Sequence, residues 1–224
     1  MTDNLNRHNT RRTSNFIDAR LVRWHISSIA NPTSKESAQI MYYSVIKPYD
    51  IANGPGVRVS LFCSGCNIHC PGCFNEEAWD FDFGQPFTDE TMQTILDHLD
   101  HPWIEGFTML GGEPMDSANI ETTSRIIETV RDTYPDLNIW SYTGYTLNTL
   151  NHLIDHTTDY AASAKRLLSN INVLVEGPFI QAKKDPDLMF RGSSNQHVID
   201  MPQTLKQHKM VLSNWHDIRH GQVR

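Results

Sequence analysis

Short apolar runs rich in β-branched residues alternate along this chain with stretches of helical spacing. That alternation constrains the fold more than any other feature. Strand-type runs occupy 57–62 (VRVSLF), 107–110, 137–142 (LNIWSY) and 171–175 (INVLV). Between them, 88–101 carries Met92, Ile95 and Leu99 at helical spacing, with Asp89 and Glu90 placed to favour the dipole of a first turn. Residues 117–134 repeat the pattern with Ile120, Ile127 and Val130 and stop at Pro135, and 146–156 can form a third helix. The order β-α-β-α-β-α-β implies an α/β domain with a mainly parallel sheet. Ligands of such sheets bind at the carboxyl ends of the strands. Three unusual loops follow strands: the cysteines after 62, Gly111-Gly112 after 110 and Thr143-Gly144 after 142. They are expected to converge on one edge.

A chain of 224 residues with 39% apolar content is long enough for a real hydrophobic core. Nineteen Lys and Arg against 26 Asp and Glu leave a net charge of −7, which argues against nonspecific nucleic-acid or membrane-surface binding. No apolar run approaches the roughly 18–20 residues that span a bilayer, and MTDNLNRHNTRR has no secretory h-region. The composition therefore reads as a cytoplasmic protein without membrane or nucleic-acid partners. Charge is uneven along the chain. Residues 1–40 hold six basic and three acidic side chains, rich in Asn, Ser and Thr, and read as a flexible extension with a marginal helix at 16–29. The segment MYYSVIKPYD from Met41 opens a different composition. The reading is an extension at 1–40, a domain body at 41–200 and a C-terminal tail at 201–224.

All four cysteines lie in one stretch, Cys63-Ser64-Gly65-Cys66-Asn67-Ile68-His69-Cys70-Pro71-Gly72-Cys73. A disulfide framework scatters its cysteines, so the clustering points to a metal site in a reducing compartment. Paired CxxC knuckles suit structural zinc, but zinc knuckles are usually separated by roughly 15–20 residues. A ferredoxin run has C-x2-C-x2-C and a distant fourth cysteine, which this chain lacks. A third reading takes Cys66, Cys70 and Cys73 as CxxxCxxC, holding three irons of a [4Fe–4S] cluster and leaving the fourth open to a small molecule. Cys63 is then a buried strand-end residue. His69 inside the loop reads as solvent-exposed rather than as a ligand.

With Gly111-Gly112-Glu113-Pro114 after the following strand, CxxxCxxC resembles the signature of the radical S-adenosylmethionine superfamily. Gly72 stands where many members have an aromatic residue. Cys-Pro-Gly-Cys followed by Phe74 and Asn75 resembles one subfamily, the activating proteins of anaerobic ribonucleoside-triphosphate reductase. So do Asn53-Gly54-Pro55-Gly56-Val57-Arg58, Gly84-Gln85-Pro86-Phe87, Thr143-Gly144-Tyr145, Asn172-Val173-Leu174-Val175-Glu176-Gly177 and Arg191-Gly192-Ser193-Ser194-Asn195-Gln196. The resemblance spans about 43–199.

The resemblance implies a partial (β/α) barrel and a radical-generating oxidoreductase. By it, Cys66, Cys70 and Cys73 hold a [4Fe–4S] cluster. S-adenosylmethionine is cleaved reductively to methionine and a 5′-deoxyadenosyl radical, which takes a hydrogen atom from a glycine of the reductase. The implied cofactor contacts are Gly72, Cys73 and Phe74 at the adenine, Gly111, Gly112 and Glu113 at the amino-acid end, and Thr143-Gly144. No side-chain acid or base is implied in catalysis. The implied partners are the glycyl-radical reductase and a reducing electron donor such as flavodoxin. Activation of another glycyl-radical enzyme, of the pyruvate formate-lyase type, and a non-catalytic zinc or electron-transfer module are the alternatives.

Overall fold

The computed structural model describes residues 40–221. The basic segment at 1–39 and its marginal helix lie outside the described residues. Seven strands form one sheet in the order β3-β1-β2-β4-β5-β6-β7. The strands are β1 (Tyr42–Asp50), β2 (Arg58–Cys63), β3 (Gln85–Pro86), β4 (Gly106–Gly111), β5 (Asn138–Tyr142), β6 (Val173–Glu176) and β7 (His197–Asp200). The helices are α1 (Asp89–Leu99), α2 (Ile120–Thr133), α3 (Leu147–Ile154), α4 (Asp159–Asn170) and α5 (Met201–Gln207).

The central strands β2, β4, β5 and β6 are parallel, as the βα alternation implies. The flanks are not: β1 pairs antiparallel with β2 and β3, and β7 antiparallel with β6. The α/β class therefore holds, with a mixed sheet. The flanking pairs have a local cause. The glycine turn at 53–56 folds β1 back on β2 as a hairpin, which only antiparallel strands can do. Pro48 in β1 sits beyond the two residues that pair with β3, on edge backbone where a missing N–H costs no ladder bond.

Strand alternation sorts the side chains. Val59 and Leu61 of β2, Phe107 and Met109 of β4, Ile139 of β5 and Leu174 of β6 join the helices in the main core. The opposite face carries Trp140, Val173, Val175 and Val198 under Phe190 and Trp215, whose rings meet edge-on at 5.6 Å. The segment beyond 200, set apart above as a tail, begins with core residue Met201 and continues to Trp215 on that face. It is tied to β7 by Asp200 N to Val211 O (2.9 Å) and Ser213 N to Val198 O (2.8 Å).

Helix α1 starts where its capping residues dictate: Thr88 accepts from Thr91 N, and the Thr91 side chain returns the bond. Helix α2 starts at Ile120, three residues later than its apolar spacing suggests. Asp116 holds 116–119 in a turn, accepting from Ala118 N (3.1 Å) on its side chain and from Ile120 N (2.8 Å) on its carbonyl. Helix α4, absent from the sequence reading, packs Ala161, Ser163 and Ala164 inward. Small residues carry little hydrophobic signal, yet they let α4 approach α2, where Ser163 Oγ donates to Glu121.

Arg58 is fully buried at the start of β2, and its hydrogen-bond acceptors among the described residues are neutral. Its guanidinium donates to Thr108 Oγ1 (2.7 Å), Phe107 O (2.8 Å), Asn138 O (2.9 Å), Asn138 Oδ1 (3.1 Å) and Pro55 O (3.2 Å). It locks the glycine turn to the amino ends of three strands.

Candidate functional site

Four strand ends meet at the carboxyl edge of the parallel strands. Cys63 closes β2 and pairs with Gly111 at the end of β4, while Tyr142 ends β5 beside Val175 of β6. The three loops expected to converge do so, and the glycine loop is their hub. Gly112 N donates to Cys63 O (2.7 Å) and Glu113 N to Gly65 O (2.8 Å), fastening it to the cysteine loop. The Glu113 carboxylate then reaches the third loop, accepting from Thr143 Oγ1 (2.8 Å) and Gly144 N (2.7 Å) as well as from Met115 N (2.9 Å). Glu113 is fully buried, and that burial pushes its pKa up to about 7 against the pull of these three hydrogen bonds.

Glu113, Thr143 and Gly144 are therefore contacts of one another here. The Thr143 hydroxyl is buried between Glu113 and Tyr145 N (3.1 Å). The missing side chain of Gly112 also has a local purpose. A Cβ there would lie 2.5 Å from Gly65 O and 2.9 Å from Ala78 O, and one at Gly111 2.4 Å from Cys63 O. In this structure the close approach is to the backbone of the cysteine loop and of Ala78. Gly111, with φ of +117°, additionally needs a conformation that side chains disfavour.

Cys63 and Cys66 are buried, and Cys70 and Cys73 are half-buried. Cys63 is wholly buried in the main core, and burial pushes its thiol far above the usual range. Cys66, Cys70 and Cys73 sit on the loop that follows, with Cys70 and Cys73 partly exposed. Burial raises the pKa of Cys66 and Cys70. Backbone amides oppose it: Cys66 faces those of Ile68 and His69, Cys70 that of Phe179, and Asn75 N lies 3.4 Å from Cys73 Sγ. Amides aimed at sulfur favour thiolates, the form in which cysteine binds metal. This donor set fits an iron–sulfur cluster. Among the described residues, no three His, Cys, Asp or Glu side chains are gathered closely enough to hold a single metal ion.

Gly72 has φ of +75°, and a Cβ there would meet Gln181 Oε1 at 2.8 Å. Phe74 is 90% exposed at the rim, so it serves no core. His69 is exposed, as its place in the loop suggests, and stacks on Trp79 at 4.5 Å.

Sequence reasoning missed Asn119. Its position just before a helix reads as an N-cap, but its side chain makes no capping bond. Instead its buried amide donates to Ser64 O (2.9 Å), Glu113 O (3.0 Å) and Gly65 O (3.2 Å), joining the cysteine and glycine loops from below. Asn67 Nδ2 adds a bond to Asp116 Oδ2 (2.8 Å). No local pattern signals these roles, because the acceptors on the cysteine loop are some fifty residues away.

Known proteins bear on this geometry. A family model described as a 4Fe-4S single cluster domain matches residues 52–199. The chain is 40% identical over 160 residues to the anaerobic ribonucleoside-triphosphate reductase-activating protein of Escherichia coli (strain K12), covering 70% of this chain and 97% of that one. It is 39% identical over 158 residues to the protein of the same name from Vibrio cholerae, covering 70% and 96%. To that of Enterobacteria phage T4 it is 34% identical over 161 residues, covering 70% and 93%. No helix among the described residues is long and apolar enough to cross a membrane.

Proposed function

The chain belongs to the family of anaerobic ribonucleoside-triphosphate reductase-activating proteins, and from that premise we propose that it activates such a reductase by generating a glycyl radical on it. On this reading Cys66, Cys70 and Cys73 hold a [4Fe–4S] cluster, and S-adenosylmethionine is the consumed cofactor. When bound, these groups would supply the hard chemistry, reductive cleavage of the sulfonium and abstraction of a hydrogen atom from the reductase's glycine. The parallel strands, with their helices on one face, are read as a partial (β/α) barrel of the radical S-adenosylmethionine type. The body at 41–200 carries the chemistry, and a cytoplasmic setting with a low-potential donor such as flavodoxin completes the reading.

The observation that carries this proposal is the site's construction. Three sulfurs, each facing a backbone amide, share a loop fastened through two backbone bonds to Gly112 and Glu113. The chain's own residues bind and orient. Gly112 and Glu113 have committed their amides to the cysteine loop, so the carbonyl side of Gly111-Gly112 is the part that receives the cofactor's ammonium. Glu113, buried and three times hydrogen-bonded, is a positioning residue that fixes Thr143-Gly144 opposite the cysteines. Gly72 and exposed Phe74 provide backbone and an aromatic face for adenine. Anaerobic reconstitution tests the reading: about four irons with matching sulfide per chain, and release of 5′-deoxyadenosine when reductant and S-adenosylmethionine are added. One zinc per chain and no 5′-deoxyadenosine would overturn it.

A further inference from the structure

The segment after α5 returns across the sheet face that carries Trp140 and is fastened there along two lines. At 211–213 it runs beside β7 through the two backbone bonds given above. At 218–220 it runs beside 185–189. Met189 N donates to Ile218 O (3.2 Å), His220 N donates to Asp187 O (2.9 Å), and Arg219 pairs with Asp185 at 3.1 Å. Between the two lines lie Trp215 and His216. Trp215 packs edge-on against Phe190, and Phe190 packs edge-on against Trp140 at 5.2 Å. Phe190 has φ of +63°, a left-handed backbone that a bulky side chain disfavours. Its packing against these two rings holds it there.

His216 joins this segment to β7, and its bonds require a neutral ring. Its side chain is only 13% exposed. Nδ1 accepts from Val198 N (3.2 Å), which assigns the lone pair to Nδ1 and the ring's proton to Nε2. Arg191 Nη1 lies 3.2 Å from Nδ1 and 3.3 Å from Nε2, and Nη2 donates to His216 O (2.5 Å). The other acceptor of this guanidinium is Gln196 O (2.6 Å), so its charge is met only by neutral groups. A proton on Nδ1 sets donor against donor at Val198 and cation against cation at Arg191. Burial and the Arg191 cation hold the His216 pKa below the usual histidine value. The other groups around the ring do not offset this. Asp217 Oδ1 is 3.9 Å from Nε2, but its carboxylate is 93% exposed and screened by water. His197 stacks on His216 at 5.6 Å and is a second potential cation. It behaves differently, because its Nδ1 is bonded to the buried Glu176 carboxylate and it takes a proton without losing that bond. The second oxygen of Glu176 accepts from Leu147 N (2.7 Å).

We propose that residues 214–221 form an acid-released clasp, in which a proton on His216 frees the segment from β7 and Arg191 and uncovers Phe190 and Trp140. The closed clasp binds that proton more weakly than the open one. The closed form is therefore fully favoured above the ordinary histidine value of 6.5 and loses ground as pH falls through it toward the lowered value. Strain at Phe190 acts in the same direction, because release of Trp215 removes one of the two rings that hold its left-handed backbone. The device stands apart from the cluster assignment, since its groups lie on β6, β7, the Arg191 loop and the C-terminal segment.

The test is hydrogen exchange read by mass spectrometry on the anaerobically reconstituted full chain, from about pH 8 to about pH 5, corrected for the intrinsic exchange rate. The parent is expected to lose protection across 214–220 and at Val198 and Met189, whose amides are bonded to that segment, as pH falls below the ordinary histidine value. Helix α2 is expected to stay protected. His216→Gln keeps an acceptor for Val198 N but takes no proton, so its clasp is expected to stay closed throughout. His197→Gln is expected to open as the parent does. Nitrogen NMR of the His216 ring needs no variant: its titration is expected to coincide with the opening. If His216→Gln does not fold, that coincidence decides, and separate midpoints overturn the proposal. Protection of the parent that persists at the acid end, an identical opening in His216→Gln, an opening abolished in His197→Gln, or loss of protection in α2 together with the segment each overturns it as well.

Discussion

Replacing Gly112 with Ala probes the joint on which the site depends. Gly112 does not have a positive φ, so alanine there brings no backbone strain, only bulk. Its Cβ would sit 2.5 Å from Gly65 O and 2.9 Å from Ala78 O. Both are backbone atoms, and they are held together by the bond from Gly65 N to Ala78 O (2.9 Å), so neither can turn aside as a flexible side chain would. Overpacking of this kind costs about 1–3 kcal/mol. Separating the loops also weakens the bonds from Gly112 N to Cys63 O and from Glu113 N to Gly65 O. At about 0.5–1.5 kcal/mol each, these bring the expected destabilisation to about 2–6 kcal/mol. That is a large share of the roughly 5–15 kcal/mol that holds a domain folded. Urea unfolding of the metal-free protein reads the stability, and iron per chain after reconstitution reads the site; both are expected to fall. Gly144→Ala is the matched control, since its Cβ would meet the movable end of Ile68 at 2.5 Å. It should cost under ~1.5 kcal/mol. Unchanged stability and iron content in Gly112→Ala, with weakened S-adenosylmethionine binding, would refute the reasoning: the space would then belong to the cofactor and not to the cysteine loop.

Cys66→Ala, Cys70→Ala and Cys73→Ala should each abolish cluster assembly, whereas Cys63→Ala should retain iron and lose stability by about 1 kcal/mol for the small core void; iron analysis and urea midpoints check both. Asn119→Ala removes the donor shared by Ser64 O, Gly65 O and Glu113 O and should destabilise the protein by about 1–3 kcal/mol, measured by urea unfolding. Glu113 titrates higher in the folded protein, at about 7, than in the unfolded chain, where a glutamate titrates near 4.5. Below both values the two states are equally protonated; between them the unfolded chain releases its proton first, so this residue's contribution to stability falls as pH rises toward 7 and is constant above. Urea midpoints of the metal-free parent should show that decline relative to Glu113→Gln, and parallel pH profiles would contradict it.

The parts of the molecule legible in the sequence are those whose physics is local. The four parallel strands read correctly because their runs are short, rich in β-branched and aromatic residues, and lie next to or near glycine or proline. The helices α1 and α3 are capped by Thr88 and Thr146, the residues that begin their predicted spans. The convergence of three loops followed from the βα order alone. Helix α4 escaped because the first half of its inward face is alanine and serine, with only Leu167 and Leu168 to give an apolar signal near its end. In the site, residue types and spacing picked out the cysteines and glycines but not their neighbours. Gly112's contact with Gly65, Asn119's bonds to Ser64 and Gly65, and Gln181's approach to Gly72 are set by tertiary packing between distant segments, which leaves no periodic trace. Nor does a Glu-Thr-Gly constellation announce that its members bond to one another.

The most direct measurement combines the anaerobically reconstituted protein with reductant, S-adenosylmethionine and an anaerobic ribonucleoside-triphosphate reductase, and records the electron paramagnetic resonance spectrum of the reductase. The account predicts a glycyl radical signal that appears only when all components are present and is lost with Cys66→Ala, Cys70→Ala or Cys73→Ala but kept with Cys63→Ala. A fully iron-loaded protein that leaves the reductase without that signal, or a signal that survives loss of Cys70, would contradict it.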